Sequence, residues 1–300
     1  MSTLDEAFIK AYRKGQATKP TYAREAGSQP TNLRAADVAA HAVVPPPHAR
    51  FEYSSPAVVA APAPVAEPPR SNPQPRPAIR PVFEVRHFIW PQLVGSLVAQ
   101  AQTELQATVG LLAARSQQGR RSLLVTGCAR GEGRTTLLLT LAHVAGLRGL
   151  RTVLVDLDFG HPELASQLGL APEVGGEEIL GRAMPLAEAL IESPDEGLTL
   201  LPLVRPVPEP VAVESQRRWS AALADLRNDF DLVLIDAGPL DSDATAIDLA
   251  TLLGDAPIDD SLVVCTHETK DAQLRAVGKR LLAARLRRWD LAENFVRIPA

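Results

Sequence analysis

The sequence predicts an α/β fold of three layers around a mostly parallel sheet, preceded by a disordered proline-rich arm, and three observations predict it. Short continuous apolar runs alternate with helical segments over the last two-thirds of the chain, which is the pattern of strands buried on both faces. A glycine-rich turn joins the first of these runs to an apolar helix. Composition also changes near Pro91: of 26 prolines in 300 residues, 15 lie in residues 1–91, which hold only 2 of the 19 glycines. Charge divides at the same place, with 11 Lys+Arg against 7 Asp+Glu before it and 20 against 28 after it.

In chain order, the first segment is 1–14, where residues 3–14 read as a short amphipathic helix. Thr3 and Glu6 form a T-x-x-E capping box, and Leu4, Ala7, Phe8, Ala11 and Tyr12 recur at helical spacing. Such a helix docks Leu4, Phe8 and Tyr12 into a partner's groove, folds back on its own domain, or touches a membrane; docking is the favoured reading. Residues 15–83 are rich in alanine and proline, with 12 prolines between Pro45 and Pro81. This composition cannot offset its chain entropy by burial and predicts a disordered, partly polyproline-II linker.

The folded domain takes 84–300, with its core at 121–286. Residues 92–116 carry Leu93, Leu97, Ala101, Leu105, Val109 and Leu112 at helical spacing without a proline, predicting one long lead-in helix. Predicted strands are SLLVT (122–126), TVLVD (152–156), LTLLPLV (198–204), DLVLID (231–236) and SLVVCT (261–266). Predicted helices are 134–148, 177–191, 213–228, 243–253 and 270–286.

The chemistry concentrates where the first strand meets its helix, in Gly127-Cys128-Ala129-Arg130-Gly131-Glu132-Gly133-Arg134-Thr135-Thr136. A glycine-rich turn at a helix N-terminus aims backbone N–H groups and the helix dipole into one cavity, which makes an anion site suited to phosphate. The pattern G-x-x-x-x-G-K-[ST] is met at Gly133 and Thr135 and broken twice. Cys128 stands at the first glycine, with Gly127 one residue early, and Arg134 stands at the lysine. Guanidinium is broad, planar and forked where an ammonium is a slim point charge, so the exchange changes the loop's chemistry. Arg134 could hold a phosphate bidentately or crowd it. Two further strands end in acids: VLVDLDFGHP in Asp156 and Asp158, and DLVLIDAGP in Asp236. Both place carboxylates at the C-terminal strand edge, where ligands of open α/β sheets bind.

In this order the segments resemble the bacterial tyrosine kinase family of polysaccharide export, within the wider MinD/ParA group of P-loop ATPases. LLVTGCARGEGRTTLLLTLA matches the Walker A region, RTVLVDLDFGHPELASQLGL the Walker A′ region, and DLVLIDAGPLDSDATAIDLATLLGDAPIDDSLVVCT the Walker B region, and the similarity spans residues 100–285. The resemblance implies a P-loop NTPase fold that binds ATP or ADP with Mg²⁺. Gly131, Glu132, Gly133, Arg134, Thr135 and Thr136 would cradle the phosphates, and Arg134 would replace the catalytic lysine. Thr135 would bind the metal, Asp156 would serve the metal or activate an attacking hydroxyl, Asp158 would support it, and Asp236 would orient metal-bound water. It also implies a cytoplasmic protein recruited to the inner face of the membrane by a polysaccharide co-polymerase or another envelope-assembly protein, and a homo-oligomer.

Departures from the family qualify this. Arg134 replaces its lysine, Gly160 stands where an arginine is common, and Glu104, Ala107 and Gly110 fall where an E-x-x-R-x-x-R oligomerisation motif belongs. The only tyrosines are Tyr12, Tyr22 and Tyr53, none in a C-terminal cluster, and Ala129 takes the place of the MinD/ParA signature lysine. The expectation is a nucleotide-binding regulator with weak or lost kinase activity. The alternatives are an inactive adaptor and, further off, a ParA/MinD-like positioning ATPase.

Other features exclude or add little. Two cysteines without CxxC spacing rule out a thiol metal cluster, and Cys128 reads as a small buried filler. A sequence pI near 5.9 with an acidic core argues against nucleic-acid binding. No apolar run approaches the length of a membrane span, and the N-terminus lacks the form of a signal peptide. His161 reads as structural, and Arg217, Arg218 and the cluster 285–288 with Trp289 read as a solvated helical face.

Overall fold

The computed structural model describes residues 79–181, 184–207, 213–240 and 258–294. Among them the elements are β1 (Phe83–Glu84), α1 (Gln92–Gln100), α2 (Gln102–Gln117), β2 (Ser122–Gly127), α3 (Arg134–Leu147), β3 (Thr152–Leu157), α4 (Leu164–Gln167), α5 (Gly176–Gly181), α6 (Leu186–Ala189), β4 (Ile191–Ser193), β5 (Leu198–Leu201), α7 (Val213–Asp229), β6 (Leu232–Ala237), β7 (Asp260–Thr266), α8 (Asp271–Ala283) and β8 (Trp289–Asn294). The strands form one sheet in the order β1-β4-β5-β3-β6-β2-β7-β8. Every pairing is parallel except β4 with β5.

Period-two alternation divides the apolar strands between two cores. Leu123, Val125, Leu154, Leu234 and Val264 face α1, α2 and α3, against Val94, Leu105, Val109, Leu138 and Leu141. Leu124, Val153, Val155, Val233, Ile235 and Val263 face the other way, against Trp219, Leu223 and Leu226 of α7 and Val277 and Leu281 of α8. Strands buried on both faces need no polar side, which is why the central runs are apolar throughout.

Four local readings change. The lead-in helix is two helices, because Ala101 leaves helical geometry at φ −120°, ψ 33° while still donating to the Leu97 carbonyl. The helix read at 177–191 divides into α5 and α6 and then becomes β4. Pro185, with its fixed φ and no N–H, precedes α6. A 3₁₀ turn at Pro194–Glu196 with Gly197 at φ 62° folds β4 antiparallel onto β5. The basic cluster at 285–288 is not helical: α8 stops at Ala283, Arg285 takes φ 61°, and Trp289 opens β8 beside β7. The described residues also include 79–83, where Ile79 N–H donates to Asp229; further on, Phe88 N–H and the Trp90 indole both donate to Glu196. The docking helix, nearly all of the linker and the helix read at 243–253 lie outside the described residues.

Candidate phosphate-binding site

The loop leaves β2 at Gly127 and enters α3 at Arg134, at the C-terminal edge of the sheet. Gly131 and Gly133 take φ 81° and 87°, the left-handed region where a β-carbon is strained. No side chain caps α3, a helix of 14 residues, so its first-turn N–H groups depend on some other acceptor. Beside them lies a cavity of about 220 Å³ lined by Gly131, Gly133, Arg134, Thr135, Asp158 and Asp236. Thr136 lines it too, and Arg130, His161, Glu163 and Gln167 stand around its mouth.

The early glycine has a steric cause. A β-carbon on Gly127 would lie 2.4 Å from Glu132 Oε2 and 2.8 Å from Arg134 Cδ. Glu132 is 5% exposed, and its Oε2 accepts from the N–H groups of Cys128 at 2.7 Å and Ala129 at 2.9 Å. Its Oε1 accepts from the Thr269 hydroxyl at 3.1 Å, and the Asn294 amide donates to its carbonyl at 2.8 Å. Glu132 thus braces the loop from beneath and lines a wider, more open cavity of about 460 Å³ on the loop's other side, with Thr266, His267 and Thr269.

Arg134 also turns inward. Its side chain is 7% exposed, its Nη1 donates to the Ala237 carbonyl, its Nη2 lies 3.5 Å from Asp158 Oδ2, and its Nη1 lies 3.9 Å from Asp236 Oδ1. Thr135 donates its hydroxyl to Asp236 Oδ2 at 2.6 Å, while Asp236 Oδ1 is buried with no hydrogen-bond partner. Burial pushes Asp236 up to about 6; the Arg134 charge and the Thr135 hydroxyl oppose that rise. Asp156, its register partner on β3, is raised well above the usual carboxylate range by burial and by Asp236.

The structure therefore brings Gly131, Gly133, Arg134, Thr135, Thr136, Asp158 and Asp236 to one cavity. It places Glu132 and Asp156 behind it. Both Asp156 oxygens are engaged by backbone, accepting from Asp158 N–H at 3.0 Å and Leu164 N–H at 3.2 Å. Asp158 Oδ1 accepts from His161 N–H at 3.0 Å, and Gly238 is needed beside it, since a β-carbon there would approach that oxygen to 2.9 Å. Sequence reading missed Glu163 and Gln167 at the mouth and Thr269 and Asn294 in the brace. Only Glu132 carried a signal, through the displaced glycine.

The donor set fits a phosphate: an uncapped helix N-terminus, a two-glycine loop and a fixed guanidinium. It does not fit Mg²⁺ in the ordinary way. Of the acids assigned to it, Asp156 already accepts a backbone N–H at each oxygen, and Asp158 and Asp236 share the Arg134 charge. No group of three or more metal-ligating side chains occurs among the described residues.

A mostly parallel sheet with a glycine loop between its central strand and a following helix, and an acid ending the neighbouring strand, defines a P-loop NTPase fold. Within that class the chain is similar to proteins named as tyrosine-protein kinases and to one named as MinD. The chain is 27% identical over 164 residues to tyrosine-protein kinase YwqD of Bacillus subtilis, covering 54% of this chain and 67% of that protein. It is 27% identical over 180 residues to tyrosine-protein kinase CpsD of Streptococcus pneumoniae, covering 57% and 77%. A protein named as the septum site-determining MinD of Guillardia theta is 33% identical over 119 residues, 39% of this chain and 44% of its own. Among solved structures, the kinase domain of VpsO superposes with a TM-score of 0.53 at 22% identity, over 69% of this chain and 100% of that one. The chimeric protein CapA2B2 gives 0.54 at 16%, over 73% and 96%. These structures share the fold. No protein-family model matches the chain.

Proposed function

We propose that this chain is a nucleotide-binding regulator related to the bacterial tyrosine kinases, with weak or lost kinase activity. The observation that carries the reading is the uncapped N-terminus of α3 behind two left-handed glycines, opening on a cavity floored by a fixed guanidinium. Backbone N–H groups there donate to the phosphates of ATP or ADP, and Thr135 and Arg134 hold them from the floor. Arg134 also supports the loss of turnover. Transfer of a phosphoryl group needs a cation positioned where charge develops, and this guanidinium is tied to Ala237, Asp158 and Asp236 behind the loop.

The wider role proposed is action with a membrane polysaccharide co-polymerase or another envelope-assembly protein, at the inner face of the membrane, in exopolysaccharide synthesis or export. Support for it is the kinship with tyrosine-protein kinases such as CpsD. No helix among the described residues is long and apolar enough to cross a membrane. A second reading, an adaptor that binds no nucleotide, is favoured by the same inward Arg134. Titrating the full chain with ATP and ADP by calorimetry separates them: saturable heat that Thr135→Ala weakens supports the first, and no heat with either nucleotide supports the second. Phosphate release from ATP above background, abolished by Asp236→Ala, would overturn the loss of turnover.

A further inference from the structure

The acids at the cavity floor already hold a cation. Asp158 Oδ2 and Asp236 Oδ1 face the two Nη atoms of Arg134 at 3.5 and 3.9 Å, and that side chain is 7% exposed. A guanidinium is charged at every accessible pH, and its fork reaches the Ala237 carbonyl and both carboxylates together. Swinging it outward would leave two buried carboxylates without a counter-charge, so it stays. A lysine would behave differently, since an ammonium on a flexible stem can leave the floor for a phosphate and free both acids for a divalent ion.

We propose that Arg134 is the resident cation of this cavity and takes the place of the divalent ion, so that the site binds the diphosphate end of a nucleotide without Mg²⁺. The inference rests on the nucleotide reading above and specifies its metal requirement. The remaining acids are consistent with it. Asp156 accepts one backbone N–H at each oxygen, Asp158 Oδ1 accepts from His161, Asp236 Oδ2 accepts from Thr135, and Asp236 Oδ1, which accepts no hydrogen bond, faces the Arg134 guanidinium. A divalent ion entering beside Thr135 would meet the fixed Arg134 charge, which already stands 3.9 Å from Asp236 Oδ1, an oxygen that accepts no hydrogen bond. Phosphate, by contrast, gains from that charge together with the open helix terminus.

The test is calorimetric titration of the full chain with ADP, in excess Mg²⁺ and again in excess EDTA. The expected result is an ADP affinity that differs by less than about threefold between the two buffers. For Arg134→Lys, Mg²⁺ should tighten ADP by about tenfold or more. Wild-type affinity that rises about tenfold with Mg²⁺ overturns the inference and leaves the nucleotide reading standing. Wild type that binds ADP in neither buffer overturns both. The wild-type pair of titrations decides the matter even if the lysine variant fails to fold.

Discussion

Both ends of the central strands carry acid and arginine clusters, and they come to opposite electrostatic states. At the end away from the glycine loop, Asp259 is saturated. Its Oδ2 accepts from Arg121 N–H at 2.8 Å, Ser122 N–H at 3.0 Å, the Ser122 hydroxyl at 2.9 Å and Arg227 Nε at 2.9 Å. Its Oδ1 accepts from Arg227 Nη2 at 2.7 Å. Burial alone would raise its carboxyl, but the donors of Arg227 and Ser122 hold it below the usual range. Next to it, Asp260 pairs with Arg120 and Arg115. At the loop end, Asp236 accepts a single hydrogen bond and is pushed up to about 6. Saturated donors make a structural knot, and unsatisfied buried charge makes a place where a ligand changes the energetics.

The largest effect expected from breaking this contrast is at the structural end. Asp259→Ala strands Arg227 and three further donors in a partly buried setting, and should cost about 3 kcal/mol, lowering Tm by about 6–12 °C. Thermal denaturation followed by circular dichroism measures it, with ADP affinity unchanged. A drop of less than about 2 °C would show that the knot is not structural. Somewhat smaller is Gly127→Ala, whose β-carbon meets Glu132 Oε2 and Arg134 Cδ. Overpacking of this kind costs about 2 kcal/mol. Part of that cost should vanish in a Glu132→Ala background, because the brace is one of three obstacles, with Arg134 Cδ and the Val264 carbonyl; equal costs in both backgrounds would remove Glu132 from the account.

Much of this layout is legible in the sequence, and the exceptions have physical reasons. The five central strands are readable because burial on both faces leaves them continuously apolar, as in LVLIDA of β6. Edge strands are not. β8, WDLAEN, is only partly buried and carries charge, and β4 is three residues long, so neither has an apolar run to read. The break at Ala101 is invisible because alanine is a good helix former and tertiary packing sets it. At the site, the loop and its acids stand out through glycine spacing and strand-end position. What spacing cannot give is the direction in which a side chain turns. Glu132 and Arg134 sit in a phosphate motif yet point beneath the loop, and only the displaced Gly127 hints at it.

A third prediction concerns the sign of the pH dependence. Asp236 keeps its proton to about pH 6 in the folded state, whereas the unfolded chain loses it near the ordinary value of 3.8. Between those values the folded state binds more protons, so this group's contribution to stability falls as pH rises and is fully unfavourable above about pH 6. Asp259, lowered on folding, acts oppositely, contributing stability above its unfolded value that is lost as pH falls through its folded one. Asp236→Asn should therefore stabilise the protein by about 1–2 kcal/mol at pH 7.5, and by less near pH 4.5. Urea midpoints at the two pH values check it; a variant less stable than wild type at the higher pH would mean that Arg134 depends on that charge.

The smallest effect lies at the rim, and it tests whether the buried floor alone defines the site. Arg130 and Glu163 pair at 3.3 Å across the cavity mouth, with side chains 47% and 51% exposed. Exposed pairs of this kind are screened by solvent and give up side-chain freedom, so Arg130→Ala should leave Tm within about 2 °C of wild type. Its effect belongs to ligand capture instead, because Arg130 borders both cavities beside the loop and, among the described residues, its charge is met by an exposed partner. ADP affinity should fall about threefold at low salt, and the difference should fade as ionic strength shortens the range of a surface charge. An affinity loss that persists at high salt would place Arg130 in direct contact with phosphate and extend the site from its floor to its rim.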